Sequence, residues 1–235
     1  MCGRLGIYLI PGLVAQFFRA GYDPDPRIEP SWNLAPSQPT MVILRTPETG
    51  HRRLELLQWG FLPRWATDPM HTRRPINARG ETVSTSGLFR DAFAKRRCLI
   101  PADNFYEWKS LPGQKQKQPY AIARADGNPM ALAGLWETWH DPESDTDRRT
   151  FAIVTTEANG DMARIHNRMP VILDEAEWPV WLGEVEGDPK AVLRPACEGI
   201  LRMWPVNRNV NTPANNGPDL LESLGQPEQS GLALC

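Results

Sequence analysis

The chain has 235 residues, of which 41% are hydrophobic and 23% are charged. This length can bury a sizeable core, and the apolar content excludes a wholly disordered protein. The longest apolar region, residues 5–18, is interrupted by glycine, proline and glutamine, so it is too broken for a membrane span and fits no signal peptide. We therefore expect a cytoplasmic protein that binds no membrane.

The formal net charge of -2 conceals an asymmetry between the two halves of the chain. Residues 1–118 contain 17 Lys and Arg against 10 Asp and Glu (+7), whereas residues 119–235 contain 9 against 18 (−9). A uniformly basic nucleic-acid-binding protein is excluded, but a basic face supplied by the first half is allowed. Scattered solvated charge would give the same count.

The predicted elements, in chain order, are many short strands and few helices. We expect a helix from Pro11 that stops at Gly21, and another over 86–95, which has Phe89 and Phe93 on one face. Further helical stretches are expected at 161–165 and from the capping residue Asp174 to Trp181. Strands are predicted at 41–45, 54–61, 98–101, 105–108, 120–124, 130–139, 151–156, 169–173 and 200–206, with a charged loop at 140–149. The strands at 120–124 and 130–139 flank an Asp-Gly-Asn turn signal at 126–128, which is typical of a hairpin.

This pattern predicts an α+β fold with one domain around a curved, barrel-like and largely antiparallel β-sheet, surrounded by short peripheral helices. The domain should occupy residues 1–217, and we expect it to be a monomer. From residue 218 the chain becomes polar and rich in glycine and proline, which predicts a disordered tail over 218–235.

The four cysteines, at positions 2, 98, 197 and 235, form no CxxC pair and have no histidine at zinc spacing. No metal site and no cofactor are therefore expected. Cys2 differs from the others because removal of Met1 would leave it with a free α-amine beside its thiol. Such an aminothiol can attack an acyl carbon, with the amine as base, or condense with an aldehyde to an imine that the thiol closes to a thiazolidine. An ordinary second-position cysteine is the alternative.

Three other segments carry groups suited to catalysis. Residues 75–82, PINARGET, place the amide of Asn77 beside a guanidinium and a carboxylate. Residues 101–108, PADNFYEW, place the carboxylate of Glu107 between aromatic residues, where burial would favour its protonated form and use as a general acid. Residues 165–170, IHNRMP, place His166 and Arg168 before a strand, although a lone histidine is most often structural.

These segments, together with MCGR at the amino terminus, WNLAP at 32–36, WGFLP at 59–63 and WPVN at 204–207, resemble the SRAP (SOS-response-associated peptidase) family. The resemblance runs in order from Cys2 to about Gly217. Members of that family are abasic-site processing proteins. The resemblance therefore implies a DNA-damage-response protein that traps the ring-opened sugar of an abasic site in single-stranded DNA, including at single-strand/double-strand junctions, as a thiazolidine crosslink on Cys2.

The resemblance also implies a role for each matching side chain. Asn77 would orient Cys2 and the opened sugar, Glu107 would supply the proton transfers, and His166 would assist formation and reversal of the imine. The implied DNA-binding set consists of phosphate contacts and of residues that stack on or wedge between bases; it comprises Arg4, Asn33, Pro36, Trp65, Arg79 and Arg168. The family name further implies a peptidase activity that exposes Cys2 by removing the residue before it.

Two alternatives from other functional classes fit the same residues. An amidohydrolase or glutamine amidotransferase would use Cys2 as an acyl nucleophile, but it needs an oxyanion hole, for which the Asn-Gly pairs at 159–160 and 216–217 are the candidates. A non-catalytic reader of single strands or modified bases would use the basic first half and the aromatic residues without needing Cys2.

Overall fold

The structure is a computed structural model that describes residues 2–25 and 28–225. In this part of the chain β-strands predominate and the α-helices are short. The strands are β1 (Leu5–Ile7), β2 (Ser31–Leu34), β3 (Pro39–Arg45), β4 (Arg52–Trp59), β5 (Asn77–Arg79), β6 (Arg97–Ala102), β7 (Asn104–Lys109), β8 (Gln118–Arg124), β9 (Met130–Asp141), β10 (Thr146–Glu157), β11 (Arg168–Pro170), β12 (Ile172–Leu173) and β13 (Leu201–Pro205). The helices are α1 (Pro11–Phe18), α2 (Arg90–Lys95), α3 (Gly160–Ala163) and α4 (Trp178–Leu182), with 3-10 segments at Glu175–Glu177, Arg208–Asn211 and Pro218–Leu221.

Five strands of the larger sheet close into a barrel. Their order is β10-β4-β3-β6-β9, and β9 pairs again with β10 to complete the ring. All of these pairings are antiparallel except β4–β10, which is parallel. The core beside these strands is fully buried, with Trp59 stacked on Phe151 at a ring-centroid distance of 6.2 Å. The predicted α+β fold, with one barrel-like and largely antiparallel sheet, is confirmed.

A second sheet, in the order β13-β8-β7-β1-β2, packs beside the barrel. It is antiparallel throughout and has its own buried cluster around Tyr106, Trp204 and Val206. Tyr106 closes this cluster by donating its hydroxyl hydrogen to the carbonyl of Trp32 at 2.8 Å. The second sheet therefore fixes the short strand β1, and with it the amino-terminal residues.

The charged segment 140–149, expected as a loop, is largely a β-hairpin. Strands β9 and β10 pair up to Asp141 and Thr146, and only a short turn separates them. Arg148 forms an ion pair with Asp141 across the two strands at 3.0 Å, and the His140 ring contacts the Asp147 carboxylate at 3.1 Å. Such cross-strand pairs stabilise an exposed ribbon, which a composition-based argument does not detect.

Two further expectations also need correction. The strands on either side of the turn at 126–128 do not pair with each other, because β8 belongs to the second sheet and β9 to the barrel. Helix α1 ends at Phe18 with Arg19 in the left-handed region at φ 52, rather than at Gly21. Gly21 instead forms an isolated bridge with Arg53.

The chain beyond the predicted domain boundary at residue 217 is partly structured. Pro218–Leu221 form a 3-10 turn whose Leu220 is buried, and Trp204 donates its ring N–H to the carbonyl of Leu221 at 2.8 Å. The expected disorder therefore does not begin at residue 218. The remainder of the predicted tail, residues 226–235, lies outside the described residues. Across the described ranges, no helix is long and apolar enough to cross a membrane.

Candidate functional site

Cys2 lies fully buried at the edge of the second sheet, beside β7. Strand β1 pairs with β7 through Leu5 and Phe105, and the carbonyl of Arg4 accepts a hydrogen bond from the Tyr106 N–H at 3.0 Å. Continued in the same register, this ladder brings the first residues of the chain alongside Glu107. Burial raises the pKa of the Cys2 thiol far above its usual range, and the negative charge of Glu107 raises it further. At neutral pH the thiol is therefore protonated.

Asn77 ties Cys2 to the barrel. It opens strand β5, which lies parallel to β10 with Asn77 opposite Ile153. The Nδ2 atom of Asn77 donates to the backbone carbonyl of Cys2 at 2.8 Å. Its Oδ1 atom is buried and accepts no hydrogen bond within the described residues, so the amide can orient Cys2 and still accept a hydrogen bond from a ligand.

Glu107 is 3% exposed, on strand β7 between the buried Tyr106 and the half-buried Trp108. The expected burial of this carboxylate is confirmed, but Tyr106 and Trp108 point to the opposite face of the strand, where they pack in the cluster of the second sheet. A carboxylate beside a buried thiol can receive or return a proton without bulk water, which is the chemistry of a general acid or base.

His166 lies in the turn before β11 and is half-buried. Its Nδ1 atom accepts the backbone N–H of Arg168 at 3.0 Å. The same Nδ1 atom also lies 3.3 Å from the carbonyl oxygen of Arg168. The backbone of Arg168 therefore holds the Nδ1 edge of the ring.

Arg4 and Asn33 form a network inside the protein. One Nη atom of Arg4 donates to Asn33 Oδ1 and to the carbonyl of Val210, both at 2.6 Å, and the guanidinium lies 5.9 Å from the Trp108 ring centroid. Asn33 is 1% exposed, and its Nδ2 atom donates to the carbonyls of Thr212 and Asn215. Asn33 thus positions Arg4 and has no surface of its own for a ligand.

Arg79 and Arg168 flank the same residue of the central strand β10. Thr155 pairs with Arg79 on one side, and it accepts hydrogen bonds from Arg168 Nη2 at its carbonyl (2.8 Å) and hydroxyl (3.2 Å) on the other. Arg79 is exposed, whereas Arg168 is also held by the carboxylate of Glu81. Of the two predicted phosphate ligands, Arg79 is therefore the more accessible.

The two predicted stacking residues lie in turns. Trp65 is 64% exposed, in the segment after β4, and the neighbouring Ala66 accepts the ring N–H of the buried Trp139 at 2.7 Å. Pro36 is half-buried in a turn in which Ser37 adopts φ 72. Both turns present a rigid apolar surface that can contact a base.

Comparison with known proteins assigns the chain to a family. The model of the SOS response associated peptidase (SRAP) family matches residues 1–213. The chain belongs to the SRAP family. It is 39% identical over 227 residues to the abasic site processing protein YoqW of Bacillus subtilis, covering 95% of this chain and 100% of that protein. The abasic site processing protein YedK of Escherichia coli is 33% identical over 86% of this chain and 88% of its own length.

Solved structures show the same SRAP fold. A protein from Bacteroides thetaiotaomicron aligns with a TM-score of 0.85 at 21% identity, covering 94% of this chain and 99% of that one. A phage-related protein from Bordetella bronchiseptica aligns with a TM-score of 0.69 at 27% identity, covering 88% and 95%.

Sequence reasoning named the candidate side chains but not the contacts that position them. It gave no role to Glu81, although this residue lies within the INARGET segment and contacts Arg168. It also missed Trp139, whose ring N–H holds the turn that carries Trp65. The sequence does not distinguish a tryptophan with this role from any other tryptophan of a buried strand. Within the described residues, no group of three or more His, Cys, Asp and Glu side chains is placed to hold a metal ion.

Proposed function

We propose that this SRAP protein processes abasic sites in single-stranded DNA by forming a covalent thiazolidine crosslink through Cys2, which shields the lesion. The observation that carries the proposal is the placement of Cys2, buried beside Glu107 and held at its carbonyl by Asn77. The names of the relatives support the substrate, since YoqW and YedK are both called abasic site processing proteins.

The reaction begins with removal of Met1, which lies outside the described residues, to expose the amine of Cys2. This amine attacks the aldehyde of the ring-opened sugar and forms a C–N bond, and loss of one water gives the imine. The Cys2 sulfur then attacks the imine carbon, a C–S bond forms, and the thiol proton moves to the nitrogen. The sum is one aldehyde and one aminothiol converted into one thiazolidine and one water, with no oxidant or metal required.

Proton transfer is the main task of the surrounding side chains. The high pKa of the buried Cys2 thiol keeps it protonated and protected from side reactions until the imine forms. Glu107, whose charge acts directly on this thiol, can then accept the proton and return it to the ring nitrogen. His166 assists at the imine, while Asn77 orients the backbone of Cys2.

The DNA strand follows the seam between β5, β11 and the amino terminus. Phosphates are contacted by Arg79, Arg168 and Arg4. The bases beside the lesion, including those at the end of a duplex, stack against Trp65 and Pro36. Asn33 contributes indirectly, because its Oδ1 atom fixes the guanidinium of Arg4.

The structure offers little support for the amidohydrolase alternative. The Gly160 N–H donates to Glu198 Oε1 at 2.6 Å, and Asn159 caps helix α3 through its Oδ1 atom. The Oδ1 atom of Asn216 accepts the backbone N–H of Trp32. Neither Asn-Gly pair therefore presents an oxyanion hole to Cys2. A non-catalytic reader would not need an amide and a carboxylate arranged around a buried cysteine.

A denaturing gel with single-stranded DNA that does or does not contain one abasic site separates these functions. The proposal predicts a heat- and detergent-stable shifted band with abasic DNA and none with intact DNA. A reader would bind both strands in a native gel and crosslink to neither, and an amidohydrolase would do neither. A stable band with intact DNA would contradict the role of the aldehyde.

The salt dependence of binding tests the predicted phosphate contacts. For a few contacts on a single strand, the slope of log affinity against log salt should be about −2 to −3. Arg79→Ala should flatten this slope by about 0.7, because it removes one exposed phosphate contact. Arg168→Ala should flatten it less, since Glu81 already engages that guanidinium. Equal slopes for the Arg79→Ala variant and the parent protein, measured by fluorescence anisotropy, would exclude Arg79 from the phosphate contacts.

A further inference from the structure

The carboxylate of Glu81 binds the guanidinium of Arg168, one of the phosphate ligands proposed above. Glu81 follows β5 in the INARGET segment, and its side chain remains 49% exposed. We propose that Glu81 is a specificity-determining residue, an internal competitor that masks Arg168 until a DNA strand displaces it. This inference rests on the function proposed above and adds how the site restrains binding to undamaged strands.

The contact between the two side chains is bidentate. Arg168 Nη1 donates to Glu81 Oε1, and Nη2 donates to Glu81 Oε2 at 3.0 Å. This is the geometry in which a guanidinium also binds a phosphate. A second edge is not available, because Arg168 Nε is buried and Nη2 is further held by Thr155. A phosphate can therefore use the Nη edge of Arg168 only after Glu81 has moved.

The carboxylate also acts on the second phosphate ligand. The hydrogen bond from Arg168, assisted by the positive charge of Arg79, lowers the pKa of Glu81 below its usual range. Glu81 is therefore ionised at neutral pH, between two cations that are needed for DNA. Its negative charge reduces the attraction of both guanidinium groups for a passing strand.

The exposure of Glu81 makes this contact reversible. An ion pair with one half-exposed partner is only weakly stabilising, so a strand held at the lesion by further contacts can break it. A strand without a lesion forms no covalent bond. At every transient encounter its phosphate must therefore compete again with the Glu81 carboxylate for Arg168. Glu81 thus favours strands that are held long enough to react.

The test compares Glu81→Gln with the parent protein, both carrying Cys2→Ala so that only reversible binding is measured. With an intact single-stranded oligonucleotide, Glu81→Gln should bind about two- to fivefold more tightly, the range expected for release of one half-exposed ion pair. The salt slope should steepen by up to about 0.7 as Arg168 gains a phosphate. Glu175→Gln is the matched control, because Glu175 forms an exposed pair with Arg19; it should change affinity much less.

A double variant shows which group is unmasked. In Glu81→Gln/Arg168→Ala the gain in slope should be lost, because the released guanidinium is absent. Weaker binding or a flatter slope for Glu81→Gln would mean that Glu81 positions Arg168 for DNA, and unchanged binding would mean that it does neither; both results overturn the inference. If the protein with Cys2 intact crosslinks abasic DNA in a parallel assay, the proposed function survives either result.

Discussion

Replacement of Cys2 by alanine should abolish the heat-stable crosslink to abasic single-stranded DNA while leaving reversible binding within about twofold of the parent value. The thiol is the atom that closes the ring, so without it the reaction stops at the hydrolysable imine. Arg79, Arg168 and Trp65 remain in place to hold the strand. A denaturing gel measures the crosslink, and fluorescence anisotropy measures binding.

Cys98→Ala provides the matched control for this prediction. Cys98, on β6, is as fully buried as Cys2, so its replacement also removes a buried thiol from the core. The Cys98 variant should crosslink at the parent rate, and both variants should be compared by melting temperature. A stable crosslink that persists in Cys2→Ala would show that another nucleophile, and not Cys2, forms the bond to the sugar.

Replacement of Glu107 by glutamine should slow crosslink formation by about 10²–10⁴-fold, the usual contribution of a positioned acid or base. The amide matches the carboxylate in shape but cannot take the thiol proton. Affinity for the strand should change little, because Glu107 is buried and is not among the proposed phosphate ligands. The measurement is the single-turnover rate of crosslinking at saturating protein.

Glu137→Gln controls for the removal of a buried carboxylate. Glu137 is 6% exposed on β9 and is paired with Arg96 at 2.7 Å, so its loss perturbs the barrel without touching Cys2. Its crosslinking rate should follow only its change in stability. If Glu107→Gln reacts at the parent rate while folding normally, Glu107 does not transfer the proton.

Many residues of the candidate site could be named from the sequence because they lie in short, chemically distinctive segments. In each of these segments a few functional groups interrupt an apolar or glycine-containing stretch, as at Cys2, Asn77 and Glu107. The structure connects these three residues through β1, β5 and β7. The positions of the strands could also be predicted, because buried strands appear in the sequence as short apolar runs.

The pairing of distant elements could not be predicted in this way. The contact between Glu81 and Arg168 joins residues 87 positions apart, and the role of Asn33 as a support for Arg4 depends on the loop at 212–215. The hairpin at 140–149 was missed because its charges pair across strands rather than along the sequence. Local patterns carry no information on these contacts.

The central claim is the covalent bond between Cys2 and the abasic sugar, and mass spectrometry of the digested crosslink tests it most directly. The account predicts an adduct on a peptide that begins at Cys2, without Met1, whose mass equals the peptide plus the sugar fragment minus one water. The adduct should resist borohydride, because a closed thiazolidine contains no imine to reduce. An adduct on a lysine, or on a peptide that retains Met1, would contradict the thiazolidine mechanism.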